Sequence, residues 1–489
     1  MSKIKSLILG SAAALVAATG AQAADLPVKA KAVQYVKICS LYGAGFYYIP
    51  GTDTCIKLGG YVQLDGTING TAHHQPAWNN SGNTGLQNRA SDNFVTRTRT
   101  SLNIDTRTAT EYGVVRTYWS SNFQHTSGDG PSSGVLTMDF GFIQFAGFTL
   151  GKAVSAFQTP WGGSPVGLNT SNLIGGYDNS TGINQIAYTW QFGNGISAQV
   201  GIEDNRVINR APIFNGAVAS TATNFFTGAY TNAAGGNVSP DFVGNIRVDQ
   251  AAFTAQLSAG LHNIHAGYYG TTEPTGHPSD AWGFAIAGGI QLKNLPTGPG
   301  DKLSLEATYT DGAPKYVIGG TTGNNFDAFN NSGTSSPAFY QTFASLALFD
   351  GVYTTNGSIE KTKVWGFRGG YEHNWSPNWQ TSLFGSYTHV DYNANATAIF
   401  CTNTAAFYAA GSSCNPDFNI WQVGSRTAWT PVKNLTFSGE IMYTTLDQSN
   451  TGGTTAQAAG AAGLFKPAGA YEFKDQGILS GNFRVRRTW

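Results

Sequence analysis

The sequence predicts an all-β protein, a 16-stranded antiparallel transmembrane β-barrel with short turns on one side and long loops on the other. Three observations lead to this prediction. Charged residues make up only 11% of the chain, against roughly 25% in soluble domains, while Gly and aromatic residues are abundant. Segments of about 9–13 residues alternate apolar and polar side chains, which is the length of a tilted strand that crosses a bilayer. Short turns and long polar loops alternate between these segments.

The first residues have the features of a secretory signal. Two lysines precede an apolar run from Leu7 to Ala18, and Ala21-Gln22-Ala23 provides an A-x-A cleavage site. We expect cleavage after Ala23, an N-terminal periplasmic segment over 24–55 and the barrel over 56–489. No later run of about 18 apolar residues predicts a transmembrane helix.

Four cysteines form an even set in a chain that is expected to enter an oxidising compartment. Of the three possible connectivities, proximity in sequence favours Cys39–Cys55 and Cys401–Cys414. Neither spacing is C-x-x-C and no clustered histidines accompany them, so we expect disulfides and no zinc site.

The strand pattern is clearest in the first segment and in the last. Between 56 and 68 one face carries Ile56, Leu58, Val62, Leu64 and Ile68, and the other carries Lys57, Tyr61, Gln63, Asp65 and Thr67. The final segment, "GILSGNFRVRRTW", places Arg484 and Arg486 opposite its apolar side chains. We expect this last strand to pair with the first and close the barrel, because an open sheet edge cannot lie in lipid. Trp489 is then expected at the periplasmic interface of the membrane. A C-terminal aromatic residue also resembles the signal by which the insertion machinery recognises outer-membrane barrels.

Connectors of two kinds are predicted to join sixteen strands. Short turns are expected near 110 and at 146–147, 193–195, 259–263, 295–301, 376–378 and 431–434. Long loops are expected at 70–94, 121–133, 158–182, 206–241, 271–280, 313–360, 392–417 and 447–470. An even strand number places both termini on the side of the short turns. No helical periodicity of useful length is present, so no long helix is expected.

Charged side chains fall on the strand face opposite the apolar one, and we expect them to line the interior. These pore-lining candidates are Arg97, Arg99, Arg116, Arg368, Arg426, Arg484, Arg486, Asp65, Asp139, Glu306 and Glu440. Inward placement is nearly forced, because an Arg that faces lipid at mid-membrane costs about 2–4 kcal/mol. One interpretation is simple solvation of a wet interior. The other is that arginines from the first three strands and the last form one wall, with acids opposite and a transverse field between them.

Residues 24–66 contain A-D-L-P, then V-x-x-C-x-x-Y-G-x-G-F-x-Y-I-P-G-T-x-x-C, then L-G-G-Y-V. This pattern resembles the outer-membrane general porins of α-proteobacteria, the Brucella and rhizobial type. The resemblance extends to the R-x-x-W ending and implies a homotrimer in the outer membrane of a Gram-negative bacterium. It also implies a water-filled channel for passive diffusion of small hydrophilic solutes and ions. Loops at 206–241 and 313–360 and the pair Cys401 and Cys414 depart from the family pattern.

In the resembled family the third long loop folds inward and narrows the pore, and the second, here 121–133, contacts neighbouring subunits. By count the third loop corresponds to 158–182. Its apolar side chains, including Trp161 and Leu173, are expected to anchor it against the inner wall. Asp178 is its only charged residue, so the constriction is expected to be poor in acids and to give a mild preference for anions.

The sequence lacks the motifs and the charge of several other functional classes. No P-loop, H-E-x-x-H or G-x-S-x-G motif is present, so we expect neither an enzyme nor a cofactor. The formal charge is zero, which argues against a nucleic-acid partner. The expected partners are outer-membrane lipid, small solutes and ions. The alternatives are a solute-specific outer-membrane channel, or a plugged structural or enzymatic barrel.

Overall fold

The computed structural model describes residues 37–70, 92–161, 169, 173–177, 182–319, 326, 339–342, 347–460 and 468–489. The predicted signal sequence and Asp178 lie outside these residues. Sixteen long strands form one sheet. They are β1 (Thr54–Ile68), β2 (Phe94–Thr110), β3 (Gly113–Thr126), β4 (Val135–Phe145), β5 (Phe148–Ala153), β6 (Ile183–Gly193), β7 (Ile196–Glu203), β8 (Asp241–Asp249), β9 (Phe253–Ile264), β10 (Ala281–Lys293), β11 (Lys302–Asp311), β12 (Lys363–Ser376), β13 (Trp379–Asp391), β14 (Phe418–Val432), β15 (Leu435–Gln448) and β16 (Gln476–Thr488).

The sheet closes on itself, which confirms the predicted barrel. Each strand pairs antiparallel with the next along the chain, and β16 pairs with β1 from Tyr61 opposite Thr488 to Ile68 opposite Gly481. A two-residue strand, Tyr47–Tyr48, also pairs with β1 at Cys55 and Ile56. Closure leaves no unpaired strand edge in the membrane. There, each backbone N–H or C=O group without a hydrogen-bond partner would destabilise the protein by several kcal/mol.

Side chains alternate between the two faces of the barrel as the sequence predicts. On β1, Leu58, Val62 and Leu64 are exposed on the outer face, while Gln63 and Asp65 point inward and are buried. Trp379 and Trp429 lie near the turn ends of β13 and β14, and their rings stack with their centroids 5.8 Å apart on the outer face. The outer surface therefore has the apolar band and aromatic girdle of a membrane barrel. No helix in the described residues is long and apolar enough to span a membrane.

The predicted turn at 259–263 is wrong. These residues lie within β9, where Gly260 pairs with Ala285 of β10. The turn is three residues long, 250–252, and Gln250 N donates to Phe253 O at 2.7 Å. The sequence "AGLHN" resembles a turn because of its Gly and Asn, but His262 and its neighbours continue the inward and outward alternation.

The long loops carry short elements of their own. In the described residues these are the strands Ile213–Asn215, Phe339–Thr342, Gly351–Tyr353, Glu360–Lys361 and Ala470–Phe473, the helices α1 (Ala222–Thr227) and α2 (Ala394–Thr404), and the 3₁₀ turns Glu273–Thr275, Pro314–Tyr316 and Ala405–Phe407. A further 3₁₀ turn, Ser40–Tyr42, lies in the N-terminal segment. The sequence "ANATAIFCTNT" of α2 mixes small and polar residues, so its buried face, Ala396, Phe400 and Thr404, gave no helical pattern. The second loop is shorter than predicted, because β3 continues to Thr126.

Both predicted disulfides are present. The Cα atoms are 6.0 Å apart in Cys39–Cys55 and 5.8 Å apart in Cys401–Cys414, within the range that a disulfide requires. The first joins the N-terminal segment to β1, where the two cysteines pack with Phe46. The second joins α2 to the chain that leads into β14.

We predict that Val423→Arg destabilises the inserted barrel by about 2–4 kcal/mol, because Val423 lies on the outer face of β14 and a charge there would face lipid. The measurement is the free energy of unfolding from lipid vesicles in urea. Val207→Arg is the control: Val207 lies in the loop after β7 and is 84% exposed, so the same charge there is expected to leave this free energy unchanged.

Candidate functional site

The third long loop comprises residues 154–182 between β5 and β6 (hereafter loop 3), and its described residues, 154–161, 169, 173–177 and 182, lie inside the barrel. Its described residues Phe157, Thr159, Leu173 and Tyr177 are almost completely buried. A surface loop does not bury such side chains, so these residues must pack against the inner wall. The barrel residues that contact loop 3 belong to strands from β7 to β15, so the contacts extend from one side of the interior to the other.

An ion pair on β11 and β12 holds the middle of loop 3. Glu306 and Arg368 lie opposite each other in the sheet, and Arg368 Nη2 is 3.1 Å from Glu306 Oε2. Thr159 Oγ1 donates to Glu306 Oε2 at 2.9 Å. Arg368 in turn donates to the backbone oxygens of Leu173 at 3.1 Å and Tyr177 at 2.6 Å. Loop 3 thus covers the ion pair of Glu306 and Arg368 and also supplies hydrogen-bond partners to both side chains.

The close fit of loop 3 over this ion pair explains why position 176 is a glycine. A Cβ atom at Gly176 would collide with the carboxylate of Glu306 and with the guanidinium of Arg368. Any larger residue would have to displace either the loop or the side chains of the ion pair. Gly176 also forms an isolated bridge with Ile318 of the loop between β11 and β12.

Loop 3 is also attached to β14 and β15. Asn169 N donates to Glu440 Oε2 at 2.6 Å, and Arg426 Nε donates to Asn169 Oδ1 at 2.9 Å. Ile174 N donates to Gln422 Oε1 at 2.8 Å. Wall side chains therefore satisfy backbone groups of the loop that would otherwise be buried without partners.

Apolar contacts complete the attachment. Leu173 packs with Phe384 and Met442, which point inward from β13 and β15. The Trp161 ring lies against Gly289 of β10, where a Cβ atom would leave no room for it. Both predicted anchors thus contact the wall.

Two rows of side chains cross β16, β1 and β2 on the part of the wall that these loop 3 contacts do not reach. In the first, Asp65 lies between two arginines: Arg97 Nη2 is 2.9 Å and Arg484 Nε is 2.6 Å from its carboxylate. In the second, Gln63 takes the place of the acid between Arg99 and Arg486. The distance from Arg486 Nε to Gln63 Oε1 is 2.7 Å, and that from Arg99 Nη2 to Gln124 Oε1 is 2.7 Å.

A third group lies closer to the turn side of the barrel. Asp105 accepts from Arg116 and from Arg107, each at 3.0 Å, and Arg116 also donates to Gln144 of β4. We call the six arginines of these groups, Arg97, Arg99, Arg107, Arg116, Arg484 and Arg486, the arginine wall. Asp65 and Asp105 neutralise part of its charge. In the described part of the chain, neither Arg99 nor Arg486 forms an ion pair. The second row therefore has two arginines and no acid, whereas each of the other two groups has two arginines and one acid and keeps a smaller net positive charge.

The predicted pore-lining residues all point inward, but they separate into two sets. One set belongs to the arginine wall or lies beside it: Arg97, Arg99, Arg116, Arg484, Arg486, Asp65 and Asp139, the last bonded to Asn122 of β3. The other set, Arg368, Arg426, Glu306 and Glu440, bonds to loop 3. Of the two interpretations of the charged interior, the one with acids opposite the arginines remains a prediction. Asp65 lies within the arginine wall, and Glu306 and Glu440 are covered by the loop.

Sequence reasoning missed Arg107, Gln63 and Gln124 as members of the site. Arg107 shares the inward parity of Arg97 and Arg99, so the same pattern could have found it. The two glutamines gave no signal, because their role depends on which residues the sheet places beside them.

A closed 16-stranded barrel with described residues of its third loop folded inside defines the class of outer-membrane β-barrel proteins. The chain matches the family described as "Porin subfamily" (Porin_2) over residues 25–482, and it belongs to that family. Membership places it in the outer membrane.

Individual relatives agree with this assignment. The chain is 37% identical over 214 residues to porin Omp2b of Brucella canis, a match over 41% of this chain and 54% of the relative. Omp2b of Brucella suis is also 37% identical over 214 residues, covering 41% and 52%. The chain spans about half the length of the curated relatives it matches. The outer membrane channel DcaP of Acinetobacter baumannii shares the fold, with a TM-score of 0.59 at 15% identity over 90% of this chain and 99% of that one.

We predict that Arg368→Ala destabilises the folded barrel by about 3–5 kcal/mol, because it leaves Glu306 buried without its charge partner. It should also free loop 3 and increase current noise in single-channel recordings. The control is Arg247→Ala, which breaks a half-exposed pair with Asp249 and should cost less than about 1 kcal/mol. Equal losses for the two variants in urea unfolding would contradict the anchoring role of Arg368.

Proposed function

We propose that this chain forms a water-filled outer-membrane channel for passive diffusion of small hydrophilic solutes and ions. The observation that carries the proposal is the division of the barrel interior. Loop 3 is bonded to the wall from β7 to β15, and the arginine wall on β16 and β1 to β3 lies outside those contacts. Solutes would pass between the loop and the arginines, so loop 3 is the proposed constriction and the arginine wall the proposed lining.

The role of each charged side chain follows from its surroundings. Arg368 and Glu306 are proposed as anchors of the constriction, because the loop covers them. Arg99 and Arg486 are half-buried and are proposed to face the passing solute. A channel lined by arginines without matching acids attracts anions and raises their local concentration. The proposed selectivity is therefore a mild preference for anions, as the acid-poor third loop led us to expect.

A homotrimer and an insertion role for Trp489 are further parts of the proposal. The Trp489 ring lies against Gly60 of β1, and the backbone N–H of Trp489 donates to Gly60 O at 3.2 Å. The apolar outer face of the barrel provides the surface on which neighbouring subunits could pack. Porin membership favours a channel over an enzyme.

A solute-specific channel is the second candidate, and one cavity favours it. The cavity has a volume of about 610 Å³ and lies beside loop 3 on the inner wall. Amide and hydroxyl side chains line much of it, including Gln144, Thr149, Gln199, Asn245 and Gln256. Neutral polyhydroxylated solutes would find donors and acceptors there. Saturable block of the ionic current by sucrose would favour this candidate, and unchanged current at all sucrose concentrations would favour general diffusion.

The experiment that tests the channel is conductance of the refolded protein in a planar bilayer. Large ohmic steps, in groups of three, are expected from a trimer of open channels. Absence of conductance from protein that is folded and inserted would contradict the proposal and favour a plugged barrel.

We predict that Arg99→Gln/Arg486→Gln shifts the reversal potential in a KCl gradient away from chloride and towards potassium selectivity. The variant removes the two arginines without an acidic partner and keeps hydrogen-bonding side chains in their place. Arg487→Gln is the matched control, because Arg487 is exposed near the turn rim and donates to Lys433 O at 2.8 Å. It removes one positive charge outside the interior and should leave the reversal potential unchanged. A wild-type channel that prefers potassium would contradict the role of the arginine wall.

A further inference from the structure

Loops from opposite sides of the barrel meet over its extracellular mouth. Loop 4 (204–240) joins β7 to β8, and loop 8 (449–475) joins β15 to β16. Eight of the sixteen strand positions separate them, so they leave the barrel on diametrically opposite sides. A 16-stranded barrel with strands about 4.8 Å apart and tilted by about 40° has a diameter of about 30 Å. Direct contact between these two loops therefore requires a bridge across the mouth.

An aromatic cluster makes this contact. Phe225 and Phe226 of loop 4 pack against Tyr471 and Phe473 of loop 8. The ring centroids of Phe226 and Tyr471 are 5.5 Å apart, and those of Phe225 and Phe473 are 6.4 Å apart. Phe225, Phe226 and Tyr471 are each 0% exposed. Side chains of loop 7 (392–417) complete the cluster, with the Phe407 ring stacked on Phe225 at 5.2 Å.

On the loop 4 side of this contact, Phe225 and Phe226 belong to a short helix that is capped at both ends. Helix α1 begins after Thr221, whose side chain accepts from Asn224 N while the Asn224 side chain accepts from Thr221 N. It ends at Thr227, and the residue that caps it, Gly228, has a left-handed conformation with φ 61°. A helix of one and a half turns needs such caps to hold its shape. The caps fix the direction in which Phe225 and Phe226 project.

Backbone pairing connects the remaining loops to the bridge. Ile213–Asn215 of loop 4 pairs in parallel with Gly351–Tyr353 of the loop between β11 and β12. That loop also pairs in parallel with loop 8, through Phe339–Thr342 and Ala470–Phe473. Asn403 of α2 donates to the backbone oxygens of Gly216 at 2.9 Å and Val218 at 2.7 Å. The bridge is thus part of a hydrogen-bonded layer.

Beneath this layer, one sector of the mouth is filled by an apolar core. The extracellular ends of β12 to β16 turn apolar side chains inward: Val364, Val390, Phe418, Ile420, Leu446 and Ile478. Loop residues such as Ile318, Phe349 and Phe400 pack on them. Closely packed apolar side chains exclude water, so this sector cannot carry hydrophilic solutes.

We propose that the contact between Phe225 and Phe226 of loop 4 and Tyr471 and Phe473 of loop 8 is a fixed bridge that limits solute size at the extracellular mouth. The inference rests on the proposed channel function and adds a second filter above loop 3. The bridge divides the mouth, so solutes enter beside it through a narrower opening than the barrel itself provides. Phe226 and Tyr471 are the specificity-determining residues, because each supplies one side of the contact.

The test compares uptake of a small and a large neutral sugar, glucose and raffinose, by liposomes that contain the refolded protein. Phe226→Ala and Tyr471→Ala should each raise the ratio of raffinose to glucose uptake several-fold. The double variant should raise it no further than the stronger single variant, since both substitutions break the same contact. Phe226→Leu, which keeps an apolar side chain in the cluster, should retain the wild-type ratio. Val207→Ala, an exposed residue of the same loop, is the matched control.

Only variants that insert into the liposomes and match wild type in circular dichroism enter the comparison. An unchanged uptake ratio in Tyr471→Ala and Phe226→Ala would overturn the bridge and leave the channel function intact. Failure of folded wild-type protein to admit either sugar would overturn the channel function, and the bridge with it.

Discussion

The constraint on which the whole structure depends is that lipid offers no hydrogen bonds to the backbone. The pairing of β16 with β1 meets it by removing the last free edge of the sheet. Once the sheet is closed, strand alternation assigns every side chain either to lipid or to the interior. The apolar outer face and the polar interior are two results of the same geometry, and the arginines have no place to lie except inside.

Burying charge inside the barrel creates a second constraint, which loop 3 resolves. Glu306 and Arg368 could not remain covered without partners, because desolvation of an ion costs several kcal/mol even after relaxation. The backbone of loop 3 supplies those partners at Leu173 and Tyr177. One inward loop therefore satisfies the charges on one side of the interior. Among the described residues, the arginines on the other side bond to side chains such as Asp65, Gln63 and Asp105. This asymmetry polarises the interior electrostatically.

Much of this arrangement follows from the sequence. Strand parity identifies the outer face of β1 and the inward arginines of β2, and the even cysteine set identifies both disulfides. Parity cannot distinguish Arg99 from Arg368, however, because each alternates with apolar or small neighbours on its own strand. Their difference depends on which side of the barrel loop 3 covers, a contact between residues far apart in sequence. The helix α2 and the apolar inward ends of β12 to β16 were missed for the same reason, since loop packing determines both.

The most direct test of the account is whether water-borne reagents reach the arginine wall and not the wall beneath loop 3. Single-channel current would be recorded from Arg99→Cys and from Thr308→Cys while a cationic methanethiosulfonate reagent is added. Thr308 points inward from β11 and is 3% exposed. The account predicts a stepwise fall in conductance for Arg99→Cys and no change for Thr308→Cys. An unaffected Arg99→Cys channel, or an equal fall in both variants, would contradict it.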